Sequence, residues 1–466
     1  MEDRTKKWTD KQEQNQLCQA EEGSAATPIK VFKKRWAILA IYVLYSAANS
    51  FQWMEYSIIA NVVMRFYKVS PAQVDWTSII YMLIYPIIVV PVSYFIEKKG
   101  LRFAALCGGI GTAVAALVKV FSIHESLFWV VILGQGIGST AQVFVMCLPS
   151  KIATVWFKPS EVSTACALAV FGTQLGFALG FVVPSTIVRN HESLNQIGCD
   201  LKLLCLVLTI YMVPVVLGII FFFPSCPRLP PSQIQLEERR RNPSSLSFSK
   251  YLGFFLNLFK NRGFVFHTIA YGINIGVFAA IGTLLNQFIL EYFPNSEEDA
   301  GRIGLIMVIS GMIGSLIFGF FLDKTHKYKE TTVFIYFAAV ISIVVSMFSL
   351  TSYSKVFVYL SFATVGVFTN AYMPVGFEFA VEITYPADES TTIGILNAMT
   401  QATGVLVTIF LGKFNSHFGA FWFLASQAFL LAIGAVITTY VPNKKRRQEA
   451  MRGFEINELE LLKTKK

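Results

Sequence analysis

Asn49, Gln52, Trp53, Glu55 and Tyr56 fall within two helical turns in the middle of an apolar run, in the stretch NSFQWMEYSII. At similar depth in other apolar runs lie Gln142, the region from Tyr271 to Asn286, and Asn397 with Gln401. A polar group inside hydrocarbon costs free energy unless something answers it, so such groups mark either bridges between helices or the path of a solute. The chemistry offered is amides, an indole, phenols and phenyl rings. Walls of that kind suit a small organic cation bearing a hydroxyl, because an aromatic face attracts an alkylated ammonium by about 0.5–2 kcal/mol while amides bond the hydroxyl. For any single amide, bridging two helices at about 0.6 kcal/mol is the competing role.

Two carboxylates form a second group. Glu378 and Glu382, in GFEFAVEITYP, stand four residues apart on one helical face near a span end. Unpaired carboxylates are expensive at that depth, so Lys or Arg partners are expected, and salt bridges that shut an inner gate in one state are the reading preferred over proton coupling or static structure. Catalysis has no support, since no nucleophile–base pair, phosphate loop or metal-ligand cluster occurs, and neither a metal nor another cofactor is expected. Haem, the alternative cargo for a large apolar cavity, normally wants a His, Cys, Tyr or Met axial ligand. Of the five histidines, 124, 191 and 417 read as external, 326 as part of a loop, and 267 as the start of a span.

The elements that must position these residues are membrane spans. The chain of 466 residues is 54% apolar and only 15% charged, with 42 Phe and a mean hydropathy of +0.55. Apolar runs of about 20 residues, each able to cross roughly 30 Å of hydrocarbon, indicate a polytopic helical membrane protein. Basic clusters at KVFKKR (30–35), EKKGLR (97–102), ERRR (238–241), DKTHKYKE (323–330) and NKKRRQEAMR (443–452) flank the runs. Such placement follows the positive-inside rule, so the net charge of +10 implies no nucleic-acid partner and puts both termini in the cytosol. Seven cysteines without a CxxC pair read as small packing residues with no disulfide framework.

The runs give twelve spans, at 36–66, 76–96, 102–121, 127–150, 164–188, 202–223, 264–290, 302–322, 332–351, 356–383, 391–412 and 418–441. The expected organisation is a disordered cytosolic tail (1–31), a six-helix bundle (32–223), a cytosolic linker ending in an interfacial amphipathic helix (224–263), a second six-helix bundle (264–441) and a cytosolic tail (442–466). Matching segments recur about 227 residues apart, GTQLG with MTQATG and SYFIEKKGLR with GFFLDKTHKY. Duplicated six-helix halves are a transporter architecture with the solute site near midplane between them. Gly172, Gly176 and Gly180 form a small-residue ladder, for which Gly304, Gly311 and Gly314 offer a possible partner surface.

The paired loops resemble the signature of the major facilitator superfamily, with Gly319 and Asp323 kept in the second copy and Ser93 and Glu97 departing in the first. Longer matches, FQWMEYSIIANVV (51–63), VDWTSIIYML (74–83), AQVFVMCLPSKIATVWF (141–157), EVSTACALAVFGTQLG (161–176), AGRIGLIMVISGMIGS (300–315), YKETT (328–332) and GFEFAVEITYP (376–386), resemble the feline leukaemia virus subgroup C receptor family within that superfamily. The resemblance covers nearly all of residues 32–441. It implies an all-α fold of twelve transmembrane helices in two six-helix halves, facilitated transport of choline, with ethanolamine as a further substrate and haem as an assigned alternative, and no enzymatic activity. It also implies a cation cage of a Trp, a Tyr and two Gln, whose positions are matched by Trp53, Gln142 and Gln401. The tyrosine position holds Ala279, leaving Phe278 and Tyr271 as available rings beside Asn49.

Loss of one cage wall should cost about 2- to 30-fold in affinity unless another ring substitutes. Glu55 also departs, since relatives commonly carry Gln there; it either draws the cation or pairs with Arg65 or Lys68. The expected protein is a monomeric uniporter in the plasma membrane, in contact with lipid and a small organic cation. A membrane receptor or scaffold that transports nothing is the reading from another class.

Overall fold

The computed structural model describes residues 31–158, 161–231, 252–253, 256–325, 327–385, 387, 389–443, 446 and 448. The expected terminal tails therefore lie almost wholly outside the described residues, as does most of the linker, of which 252–253 and 256–258 are helical.

The first half contains α1 (Lys34–Met54), a 3-10 turn (Ser57–Ile59), α2 (Ala60–Tyr67), α3 (Pro71–Lys99), α4 (Leu101–Val120), α5 (Phe128–Met146), α6 (Pro149–Trp156), α7 (Val162–Ile187) and α8 (Leu194–Phe222). The second contains α9 (Arg262–Tyr292), α10 (Glu297–Thr325), α11 (Tyr328–Thr351), α12 (Lys355–Thr384), α13 (Glu389–Phe418) and α14 (Ala420–Thr439). Helix starts recur at a nearly constant offset, from Lys34 to Arg262, Leu101 to Tyr328 and Phe128 to Lys355, so the duplication extends through both halves.

Eleven spans are individually long and apolar enough to cross a bilayer, with α5 and α6 counting as one. The twelfth crossing is α1, the 3-10 turn and α2 together, whose polar residues dilute its hydrophobicity. Local signals set the ends. Ser70 and Gln73 form a capping box ahead of Pro71 at the start of α3, and Asn261 caps α9 by accepting from the amides of Gly263 and Phe264. Gly100 and Gly419 make the tight turns into α4 and α14 at φ of 82° and 83°, which a side chain would strain.

With no hydrophobic drive between helices in lipid, close backbone approach does the packing. Side chains at Gly172 or Gly176 would collide with the backbone of α1 at Val43 and Ala47. The span-5 ladder thus seats α7 on α1, whereas Gly311 and Gly314 face Asn370 and Val367 of α12. This corrects the expected pairing of the two ladders with each other; only Gly301 and Gly304 meet α7, at Ser185 and Phe181. Phe221, Leu316, Phe410 and Phe429 are at least two-thirds exposed, as lipid-facing side chains must be. A second correction concerns the cysteines: Cys226 is disulfide-bonded.

Candidate functional site

The first span breaks without Pro or Gly at the break. Its helix stops at Met54, and the carbonyls left without intrahelical donors are taken up by neighbouring helices: Ser78 Oγ donates to Trp53 O (3.1 Å) and Gln135 Nε2 to Gln52 O (2.9 Å). Non-helical backbone survives at membrane depth only when protein groups satisfy it in this way. The 3-10 turn beyond it presents Ile58 O to Asn286 of the opposite half (2.8 Å).

Behind the break lies a polar core the sequence reading missed. Lys119 Nζ pairs with Glu55 Oε1, both side chains 1% exposed, and also donates to Gln135 Oε1 (3.4 Å). Gln52 Nε2 bonds Thr112 O (3.0 Å), and Asn49 Nδ2 bonds Thr112 Oγ1 (3.1 Å) and Gly138 O (3.0 Å). Asn49 therefore bridges α1 to α4 and α5, which corrects its placement among cavity-lining residues. Glu55 pairs with neither Arg65 nor Lys68. Arg65 is held by Asn190 Oδ1, His191 O and Glu192 O, and Lys68 by Glu125, while Glu55 projects into the first half. A lone lysine in AALVKVF was the only trace of this partner, and it reads as a span end.

Trp53 projects from the other face of the helix. Its ring stacks on Tyr81 (centroids 5.7 Å, 10° between planes) and meets the edge of Phe177 at 5.3 Å. One turn further along α7, Phe181 reaches the opposite half, where a Cβ on Gly282 would lie 3.3 Å from its ring. Beside Tyr81, the Met82 sulfur fills the notch of Gly404: a Cβ there would sit 2.8 Å from the sulfur and 3.9 Å from the Ala279 Cβ. Gln401 lies three residues before that notch, and Phe278 is partly buried next to Ala279.

Spans 1, 2, 5, 7 and 11 thus converge around Trp53 and Ala279. Trp53, Gln142 and Gln401 are 5%, 3% and 4% exposed, and Trp53 Nε1, Gln142 Oε1 and Tyr81 Oη have no hydrogen-bond partner among the described residues. Each such buried group leaves about 1–3 kcal/mol to be recovered by a polar solute. Tyr271 is not among the converging residues. Fully buried in the second half, it packs on Phe377 and Tyr372 at 5.5 and 5.7 Å with its hydroxyl toward Met373 O, so this ring is spent on α12. His267, also fully buried, bonds Gly376 O through Nε2 (2.8 Å).

Among the described residues, every hydrogen bond joining the halves lies at the end away from the termini. Besides the Asn286 bond to Ile58 O, Asn61 Nδ2 donates to Glu297 Oε1 (2.8 Å), Asn61 N to Asn286 Oδ1 (3.3 Å), Gln287 Nε2 to Asp75 Oδ1 (2.7 Å), Asn286 Nδ2 to Asn61 Oδ1 (3.2 Å) and Asn190 Nδ2 to Glu297 Oε1 (3.4 Å). At the termini-bearing end, the bonds seen among the described residues stay within one half, as in Arg35–Glu161 and Lys151–Glu97. Glu382, 2% exposed, accepts from the Gln448 amide (3.0 Å) and meets no Lys or Arg among the described residues, while Glu378 is exposed. The expected gate pairs are thus not formed by Glu382 in this conformation, which is shut on the far side.

Asn286→Ala should loosen that closure. It removes three cross-half bonds worth about 0.5–1.5 kcal/mol each, raising the open-to-closed ratio by about 10- to 2,000-fold. Faster deuterium uptake across 57–67 and 284–292 is the expected readout.

Residues 37–368 match the Major Facilitator Superfamily. The chain is 41% identical to the choline/ethanolamine transporter flvcr2a of Danio rerio, covering 92% of this chain and 91% of that one. It is 40% identical to the choline/ethanolamine transporter FLVCR2 of Homo sapiens, over 93% and 82% of the two chains. An uncharacterized MFS-type transporter of Caenorhabditis elegans, C09D4.1, is 42% identical over 90% and 71%. Among solved structures, a bacterial homolog of the human lysosomal transporter Spinster superposes with a TM-score of 0.66 at 13% identity, covering 88% and 97%. The E. coli fucose:proton symporter FucP superposes at 0.62 and 14% identity, covering 88% and 98%. These two establish likeness of fold alone.

Proposed function

The chain belongs to the major facilitator superfamily and, within it, to the feline leukaemia virus subgroup C receptor family, and on that premise we propose that it carries choline or a related small amine such as ethanolamine. Transport is facilitative, by alternating access, through a monomer in the plasma membrane with both termini in the cytosol. The observation that carries the substrate reading is Trp53, stacked on Tyr81, with its own Nε1 and the Tyr81 hydroxyl unanswered among the described residues. An aromatic face of this kind attracts an alkylated ammonium without demanding a hydrogen bond from it.

To Gln142 and Gln401 we assign the bond to the substrate hydroxyl, and to Phe278, next to Ala279 in sequence, the ring that compensates for the missing tyrosine. In the cycle, the bonds of Asn61, Asn286 and Gln287 break to admit substrate from outside. Closure at the opposite end then brings cytosolic Lys or Arg to Glu378 and Glu382. The interior chemistry supports uniport: Glu55 is paired with Lys119, and among the described residues no mid-span carboxylate–histidine pair is formed.

Radiolabelled choline and ethanolamine uptake in cells lacking endogenous carriers tests the reading. Saturable uptake insensitive to sodium and to imposed pH gradients is expected. Rates no higher than in mock-transfected cells for both amines would sink it.

A further inference from the structure

A cavity of about 470 Å³ opens on the termini-bearing face, outside the transport path. It forms where the segment entering α9, the end of α12 and the segment leaving α14 meet, and Lys260, Arg262 and Arg446 line it together with Asn257 and Pro442. Its volume is that of a small-molecule site.

Three observations converge on its ligand. First, among the described residues none of the three cations forms an ion pair or a side-chain hydrogen bond. Glu382, next to the lining residue Ile383, accepts from the Gln448 amide. Basic residues on this face satisfy the positive-inside rule wherever they stand; convergence of three onto one cavity, drawn from separated segments, is a further feature. Second, Asn257 adds an amide among the cations, and an arginine fork matches phosphate oxygens two at a time. Third, Leu256 and Phe259, which lead into the cavity, are 59% and 50% exposed, so this rim is apolar and sits where acyl chains meet headgroups.

We propose that this cavity binds the multiply phosphorylated headgroup of an anionic membrane lipid. Bound there, the headgroup ties the segment entering the second half to the segment that leaves it. Anions held in a basic pocket between helices of the cytosolic leaflet draw on both charge and the apolar rim.

The test uses the purified full chain and short-chain phosphatidylinositol bisphosphate, with free inositol trisphosphate, inorganic phosphate and short-chain phosphatidylcholine as parallel ligands. Saturable binding of the bisphosphate lipid is expected, weakened about 100-fold in Lys260→Ala/Arg262→Ala/Arg446→Ala at about fivefold per cation. A charge-matched control, Lys98→Ala/Lys99→Ala/Lys324→Ala, should bind like the parent, and both variants should keep the parent's elution profile and choline uptake. Equal binding of free inositol trisphosphate would support the cavity as a phosphate site but overturn the lipid as its source. Binding that falls equally in the control variant, or persists in the triple variant, overturns the site.

Discussion

Glu55→Gln is expected to unfold or trap the protein, at a cost of about 3–5 kcal/mol, because it leaves the Lys119 ammonium buried without its counter-ion. Both side chains are 1% exposed, and Glu55 Oε2 has no partner among the described residues. Lys119→Met alone should be as damaging, by stranding the carboxylate. The double variant Glu55→Gln/Lys119→Met should recover most of the loss, since a buried pair contributes little net stability over well-packed neutral groups. Melting midpoints of the four proteins in detergent measure the coupling directly. Four equal midpoints would mean that the pair is not formed.

Trp53→Ala carries the second large effect, on substrate rather than on fold alone. Its face is the wall that the proposed cation meets, so KM for choline should rise by about 2- to 30-fold. Removing so large a buried ring also leaves a cavity between Tyr81 and Phe177, which costs about 3–5 kcal/mol of stability. Trp53→Phe separates the two contributions: it keeps an aromatic face and most of the packing, and KM should fall between parent and Ala. An unchanged KM in Trp53→Ala, measured on protein matched for surface amount, would remove Trp53 from the site.

Periodicity and charge placement made the fold legible, because a span of about 20 apolar residues has few alternatives in a bilayer. Starts recurring near 227 residues exposed the duplication, and the structure extends it through both halves. That Trp53 would be buried mid-span was legible because position along a span is a one-dimensional property. What failed was azimuth. Trp53 and Glu55 differ by about 200° around a helix of 3.6 residues per turn, so nearness in sequence put opposite faces into one site. Asn49 lies only about 40° around from Trp53, so its loss to Thr112 and Gly138 was set by which helices pack there, and Tyr271 was likewise taken by α12. Lys119 stayed hidden because long-range pairing, 64 residues apart, leaves no local pattern.

The paired charge behind the break has an electrical consequence. On the proposed uniport of a cation, the solute passing this neutral core brings one unit of charge with no mobile counter-charge to offset it, so each cycle would move net current. A membrane potential acts on that charge by about 2.3 kcal/mol per 100 mV, which is a ratio of roughly 50-fold at equilibrium. The resting voltage of the cell, and no ion gradient of the protein's own, then sets how far its substrate can accumulate.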